Sequence, residues 1–350
     1  MLSTRQPLRI GLLGCGAVGG PVAQAIIADP RYELAAVAVR DPAKKRAVTL
    51  APELLGSDPL AIANDPSTDV VVEVMGGIEP ARSAILSALR SGKPVVTANK
   101  ELLAVHGREI FAAARGSEAS LFLEASVGGA IPIVRVLQTS LNGDRVLKIS
   151  GILNGTTNCI LSRMHTTGCD LKEALRYAQA RGYAEADPSA DIDGYDTAAK
   201  VAILARLAFG VEAHLEDVKR EGISGVSPSD IIAAAESGHV LKLVGTAQRT
   251  TSGCDLHVRL ELLQATDTLA SVSGASNAIF VETERAGLLE FSGQGAGGVP
   301  TSSAVLGDLA TASSFDLRRS RHSSRHSLTQ LHLDTCPTCR ERTRYESAAH

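Results

Sequence analysis

The sequence predicts an α/β fold, a doubly wound parallel sheet joined to a second, α+β domain. Three observations predict it. Apolar runs of strand length alternate with helical patterns over the first 145 residues, a glycine-rich turn joins the first run to the first helix, and the rhythm then changes to consecutive helices followed by strands. Continuously apolar runs read as strands buried on both faces, and strand-helix-strand alternation implies right-handed crossovers in a parallel sheet. At 350 residues the chain has the length of two domains, and 44% hydrophobic with 21% charged residues is an ordinary globular balance.

In the first part, strands are predicted over residues 8–13, 34–39, 70–74, 95–97 and 121–124, and helices over 21–28, 79–90 and 101–115. The second part opens with a strand at 146–153, followed by helical segments at 157–166, 171–181 and 195–209. Strands are expected again at 240–247, 257–263, 279–282 and 288–291, before a last helical pattern at 301–312. No repeat of solenoid period is present. The expected domains are 1–145, completed by about 295–314, and 146–294. From 315 the composition shifts: the last 36 residues hold seven Arg, four of the nine His and no Lys, Gly, Val or Ile. Such a segment cannot bury enough apolar surface to offset its chain entropy, so disorder is expected over 315–350.

A formal net charge of -3 removes the basic field that sequence-independent nucleic-acid binding needs, and 3% aromatics leave few stacking platforms. No window approaches the ~18 to 20 apolar residues of a membrane span. The first apolar run meets Gly14-Cys15-Gly16 rather than a cleavage site, so a cytoplasmic location is expected without nucleic-acid or membrane partners. Cys15, Cys159, Cys169 and Cys254 are scattered singly, as suits reduced thiols, and Cys336 and Cys339 form one isolated C-x-x-C lacking the second pair that a zinc site requires.

Gly14-Cys15-Gly16-Ala17-Val18-Gly19 is a G-x-G-x-x-G after a predicted strand and before a helix. The first glycine permits the tight turn, the second admits a pyrophosphate, and the third allows close helix-strand packing, with phosphate on the helix N-terminus. This is a Rossmann-type signature, with Gly14, Gly16, Ala17, Val18 and Gly19 as cofactor contacts. The second strand ends at Arg40, which can meet a 2′-phosphate with Lys44 and Lys45 nearby. Asp41 is adjacent and could serve a plain ribose, so NADP is favoured with NAD also accepted.

Asp196 and Lys200, four apart on a predicted helix, share one face, and Glu185 sits in the preceding Gly/Pro-bounded loop. By spacing alone the pair reads as an exposed ion pair of about 0.3 to 0.5 kcal/mol. A substrate ammonium would need such carboxylates, and a carbonyl accepting hydride needs an acid, a role that suits Lys200. Asn154-Gly155-Thr156-Thr157 opens a helix with good cap residues. Capping accounts for it as well as carboxylate binding does. His106 and His239 lack a carboxylate or second His at ligand spacing and receive no role.

Six strings in register resemble homoserine dehydrogenase: Thr97-Ala98-Asn99-Lys100, Glu124-Ala125-Ser126-Val127-Gly128-Gly129, Gly151 to Asn158, Gly182 to Pro188, Asp196 to Lys200, and Gly293 to Gly298. The resemblance spans residue 8 to about 314. It implies NAD(P)H-dependent reduction of L-aspartate 4-semialdehyde to L-homoserine, in threonine, isoleucine and methionine biosynthesis. It further implies that Lys200 is the proton donor, that Glu185 and Asp196 bind the amino acid, and that Lys100 sits at the active-site edge in contact with cofactor. Thr97, Gly182, Glu185 and Gly297 match cofactor contacts. Glu124, Val127, Gly129 and Ile131 match a structural loop for sodium or potassium, in which one carboxylate joins backbone carbonyls. The family also implies a homodimer formed through the second, substrate-binding and dimerisation domain, beside the NAD(P)-binding first domain.

Many bacterial members add a C-terminal regulatory domain of the ACT type, and nothing after residue 314 resembles one. The expectation is a short form with an added tail, or a reading frame shifted near 314; the tail composition favours the second. Two competing readings remain at this level: a dehydrogenase of similar build acting on another amino-acid-derived carbonyl or imine, such as aspartate dehydrogenase, and an idle NADP-binding protein.

Overall fold

The computed structural model describes residues 6–117 and 119–319. Six strands, β1 (Leu8–Leu13), β2 (Tyr32–Ala38), β3 (Leu55–Gly56), β4 (Val70–Glu73), β5 (Val95–Thr97) and β6 (Leu121–Phe122), form a wholly parallel sheet in the order β3-β2-β1-β4-β5-β6. Helices α1 (Gly19–Ala28), α2 (Pro59–Asn64), α3 (Ala81–Arg90) and α4 (Lys100–Ser117) make the crossovers. Val70, Val71 and Val72 are buried together with Ile10, Leu12 and Leu13, as strands covered on both faces require. The order reverses between β1 and β4, and the carboxyl ends of these strands are where such sheets hold ligands.

The second sheet is mixed, in the order β12-β11-β7-β9-β10-β8. Its strands are β7 (Val146–Ile152), β8 (Lys219–Arg220), β9 (His239–Thr250), β10 (Gly253–Gln264), β11 (Ser276–Thr283) and β12 (Gly287–Gln294), antiparallel except where β8 joins β10. Helices α5 (Ile133–Arg135), α6 (Gly155–Thr167), α7 (Leu171–Ala180), α8 (Ser189–Ile192), α9 (Tyr195–Phe209), α10 (Pro228–Glu236) and α11 (Thr268–Ser271) surround it, and α6, α9 and α10 all lie on β9. Helix α9 approaches closely because β9 has Gly245 beneath it: a Cβ there would come within 2.8 Å of both Thr197 and Val201. Lys242 of β9 is 2% exposed and hooks the sheet to α6 and its neighbouring loop, donating to Asn158 Oδ1 at 2.9 Å and Val272 O at 2.5 Å.

Helix α12 (Gly298–Arg319) returns to the parallel sheet, where Ala304, Val305 and Leu309 join Ile10, Leu12, Val22 and Ile26 in one apolar cluster. Asp308 fastens it to the loop after β6, accepting from Glu124 N at 2.9 Å and Arg135 at 3.2 Å.

Several expectations are corrected. Strand β2 stops at Ala38, so Arg40 lies in the following segment, and β6 stops at Phe122, so Glu124 begins a tight turn. Helix α12 continues through Arg319, past the composition change at 315; the rest of the expected tail, with Cys336 and Cys339, lies outside the described residues. Helices α2 and α10 were not foreseen, although Ser227-Pro228 with Asp230 forms a reciprocal cap that marks the start of α10. Cys15, Cys159 and Cys169 are free thiols.

Candidate active site

The glycine turn has the build its spacing requires. Gly14 holds φ +99°, and a Cβ there would strike the Val74 backbone at 2.8 Å. Gly19 lies against the turn itself, where a Cβ would stand 2.1 Å from Gly14 O. Gly16 is exposed with open space above it, and α1 begins at Gly19 with no side-chain cap from Val18. These residues fit a dinucleotide pyrophosphate. Beyond β2, Arg46 gathers the carbonyls of Asp41, Pro42 and Lys44, and one oxygen of Asp41 accepts from Ala43 N at 2.9 Å. Arg40, Lys44 and Lys45 are left exposed on this loop.

Glu73, wholly buried at the end of β4, ties the strand ends together. Thr97 Oγ1 donates to it at 2.6 Å, Met75 N at 2.8 Å and Gly76 N at 3.3 Å, while burial pushes its carboxyl pKa up. Asn99 then caps α4, its Oδ1 accepting from Leu102 N at 3.1 Å, and so fixes Lys100 at the helix start. The Thr97 side chain is buried and its hydroxyl is committed to Glu73, so it supports the strand ends. Glu73 was not foreseen, although a lone carboxylate closing an apolar strand was a visible signal.

Three charged groups meet between α4 and α9. Asp196 bridges two lysines: Oδ1 lies 2.9 Å from Lys100 Nζ and Oδ2 lies 2.7 Å from Lys200 Nζ. Asp196 and Lys200 are 8% and 6% exposed, so the exposed-pair reading is overturned. Lys200 also donates to Leu153 O at 2.6 Å. Burial lowers its pKa, opposed by the Asp196 carboxylate and assisted by the Lys100 ammonium. For Asp196 burial acts upward, but the Lys200 and Lys100 ammoniums together outweigh it and hold the carboxyl well below the usual range. The neighbouring Asp196 carboxylate raises the Lys100 pKa, with smaller contributions from Asp191 and Glu185.

Asn154 serves as both cap and clamp. Its Oδ1 accepts from Thr157 N at 2.8 Å, while Nδ2 donates to Asp191 at 2.6 Å and Asp196 at 2.9 Å. Asp191 thus joins the cluster, a residue that sequence reasoning missed because its helix α8 has only four residues and no periodic signal. Glu185 is exposed on the loop after α7, close enough to act on Lys100. Gly182 is exposed at φ +73°, and Thr156 Oγ1 donates to Tyr183 O at 2.6 Å, which ties that loop to the start of α6. Gly297 is exposed at φ +111°, next to Gly298, which abuts Ala17 of the glycine turn.

The loop of Glu124, Val127, Gly129 and Ile131 is buried, with Gly128 and Gly129 at positive φ. Its carboxylate is hydrogen-bonded within the protein. Glu124 Oε1 and Oε2 accept from Val134 N and Arg135 N at 2.8 Å each, capping α5. The Glu124 side chain thus also braces the loop, which offers backbone carbonyl oxygens beside it. A separate open groove of about 730 Å3 is lined by Asp193, Tyr195, Arg220, Glu221 and Leu260.

A pyrophosphate turn with a buried acid–lysine cluster at the carboxyl edge of the same molecule suits hydride exchange with a charged carbonyl compound, and the chain is an NAD(P)-dependent oxidoreductase acting on a CH–OH group. Comparison with known proteins makes the class specific. Residues 132–310 match the family model for homoserine dehydrogenase, and residues 14–124 that for the homoserine dehydrogenase NAD binding domain. A homoserine dehydrogenase of Corynebacterium glutamicum is 46% identical over 318 residues, 87% of this chain and 71% of that protein. One of Bacillus subtilis is 43% identical over 312 residues, 86% and 72% respectively. The crystal structure of a homoserine dehydrogenase from Thiobacillus denitrificans superimposes with a TM-score of 0.88 at 39% identity, covering 95% of this chain and 79% of that one. A hyperthermophilic archaeal homoserine dehydrogenase solved with NADPH gives 0.74 at 25% identity, covering 88% and 98%. The chain belongs to the homoserine dehydrogenase family.

Proposed function

We propose that this chain reduces L-aspartate 4-semialdehyde to L-homoserine, with NADPH preferred over NADH. The observation that carries the reading is the buried Lys200 ammonium, which shares Asp196 with Lys100 beside Asp191 and within reach of Glu185. Asp191, Asp196 and Glu185 supply the negative charge that holds a substrate α-ammonium. A bound nicotinamide supplies the hydride. Lys200 has three N–H donors, and two are held by Leu153 O and Asp196, so the third is available to protonate the aldehyde oxygen. Burial lowers the Lys200 pKa and makes it a stronger acid toward the developing alkoxide. Asp196 keeps the lysine oriented and offsets its charge where both side chains are buried.

The NADPH preference is supported by Asp41, one of whose oxygens is used in its own turn, and by the exposed Arg40, Lys44 and Lys45 that can meet a 2′-phosphate; an archaeal relative was solved with NADPH. Gly14, Gly16, Ala17, Val18 and Gly19 take the pyrophosphate, with Gly182 and Gly297 as backbone contacts. Backbone carbonyls of Glu124, Val127, Gly129 and Ile131 form a cradle for sodium or potassium, whose hard character suits all-oxygen ligands. Residues 1–145 with 295–314 act as the NAD(P)-binding domain, and 146–294 as the substrate domain through which two copies pair. No helix among the described residues is long and apolar enough to cross a membrane, and a cytoplasmic location fits the free thiols of Cys15, Cys159 and Cys169.

Lys200→Ala tests the reading. Turnover of aspartate semialdehyde should fall about 10²- to 10⁴-fold, the usual worth of a general acid, while NADPH binding stays as in the parent. Unchanged turnover refutes the proton-donor role. Preference for oxaloacetate plus ammonia over the semialdehyde refutes the substrate.

A further inference from the structure

Asn277, the second residue of β11, is 0% exposed, and neither atom of its amide has a hydrogen-bond partner among the described residues. A buried amide in that state is costly until a partner reaches it. Its side chain lies beneath Gly295, where a Cβ would come within 2.0 Å of the Asn277 amide. Gly295 belongs to the segment that runs from β12 to α12. The same segment is clasped from above by the Gly128–Ala130 loop: Ala130 N donates to Gln294 O at 3.0 Å, and a Cβ on Gly129 would stand 2.5 Å from the Gly295 carbonyl carbon. Its far end touches the pyrophosphate turn, where a Cβ on Gly298 would stand 2.1 Å from Ala17 O. One short run of glycines therefore links the substrate-side sheet to the cofactor turn, and Gly297 within it adopts φ +111°.

We propose that Asn277 is a positioning residue for the cofactor, its amide kept for the peptide groups of Gly295–Gly297 and engaged when cofactor bound at the adjoining glycine turn resets those peptide groups. The inference rests on nicotinamide cofactor binding at Gly14–Gly19. Satisfying the amide on binding then supplies part of the binding free energy. Replacement by leucine, similar in size and without polar atoms, removes the cost from the free state and the gain from the bound state.

The test compares wild type with Asn277→Leu and Asn277→Ser by NADPH fluorescence titration, by thermal unfolding with and without NADPH, and by steady-state kinetics. The leucine variant should be at least as stable as wild type without cofactor. It should bind NADPH about tenfold more weakly, the worth of one buried hydrogen bond, and show a smaller NADPH-induced rise in Tm with kcat at saturation little changed. Hydrogen exchange on the wild type gives a readout independent of any variant's folding: amides of Gly295–Gly297 should gain protection on NADPH addition. Equal NADPH affinity in wild type and variants, or no added protection at 295–297, overturns the proposal while leaving the cofactor reading intact. Failure of wild type to bind NADPH or NADH overturns both.

Discussion

Asp196 carries more of the site than any other single residue, because one carboxylate compensates two ammoniums and accepts from Asn154 as well. Removing one partner of a buried ion pair leaves an uncompensated charge, so Asp196→Asn should lower stability by about 3 kcal/mol in chemical denaturation. It should also change the pH profile. Burial already depresses the Lys200 pKa and Asp196 opposes that, so loss of the carboxylate drives the value lower still. Reduction needs the protonated lysine, and the alkaline limb of kcat/KM for semialdehyde reduction should move to lower pH. An unmoved limb would mean that Lys200 is not the titrating acid. The i,i+4 spacing of Asp196 and Lys200 was legible in the sequence, yet spacing alone favoured an exposed pair of little worth. Asp191 was not legible at all, since its placement depends on Asn154 reaching across from α6.

At the level of elements, the site is an assembly of helix starts. Helix α4 begins at Lys100 under the Asn99 cap, α6 begins at Gly155 under the Asn154 cap, and α9 begins at Tyr195 after Gly194 turns the chain at φ +78°. Helix α9 can carry Lys200 inward only because Gly245 lets it settle on β9. Gly245→Ala should push α9 outward, since the new methyl would lie 2.8 Å from Thr197 and Val201. Semialdehyde turnover should drop at least tenfold and Tm should fall, while NADPH affinity, set at the other sheet, should change less than threefold. Equal losses of turnover and NADPH affinity would argue against this division of labour. The long periodic helices and the apolar strands were readable in sequence order. The short pieces α2, α8 and α10 were not, because four to nine residues give too few turns for a period to show.

For the whole molecule, the two sheets are joined by α12 and by the Gln294–Gly298 segment, and global stability carries the signature of a buried lysine. Burial brings the Lys242 pKa down from 10.5 to about 8. Below pH 8 the lysine is charged in folded and unfolded chains alike, and the cost of burying its charge is constant. Between about pH 8 and 10.5 the folded chain has released a proton that the unfolded chain still holds, so stability from this residue rises with pH. Urea unfolding should show that rise in wild type and a flatter dependence in Lys242→Met. A rise of equal size in both would place the proton elsewhere. The sequence by itself determined the fold class, the glycine turn and the helix that aligns Asp196 with Lys200, because each follows from local periodicity or from backbone freedom at glycine. Only the tertiary structure decided that Lys200 is buried, that Asp191 joins it, that Thr97 is a support and that the Glu124 carboxylate caps a helix. Charge, burial and hydrogen-bond commitment belong to what surrounds a side chain, and those surroundings come from segments tens of residues away.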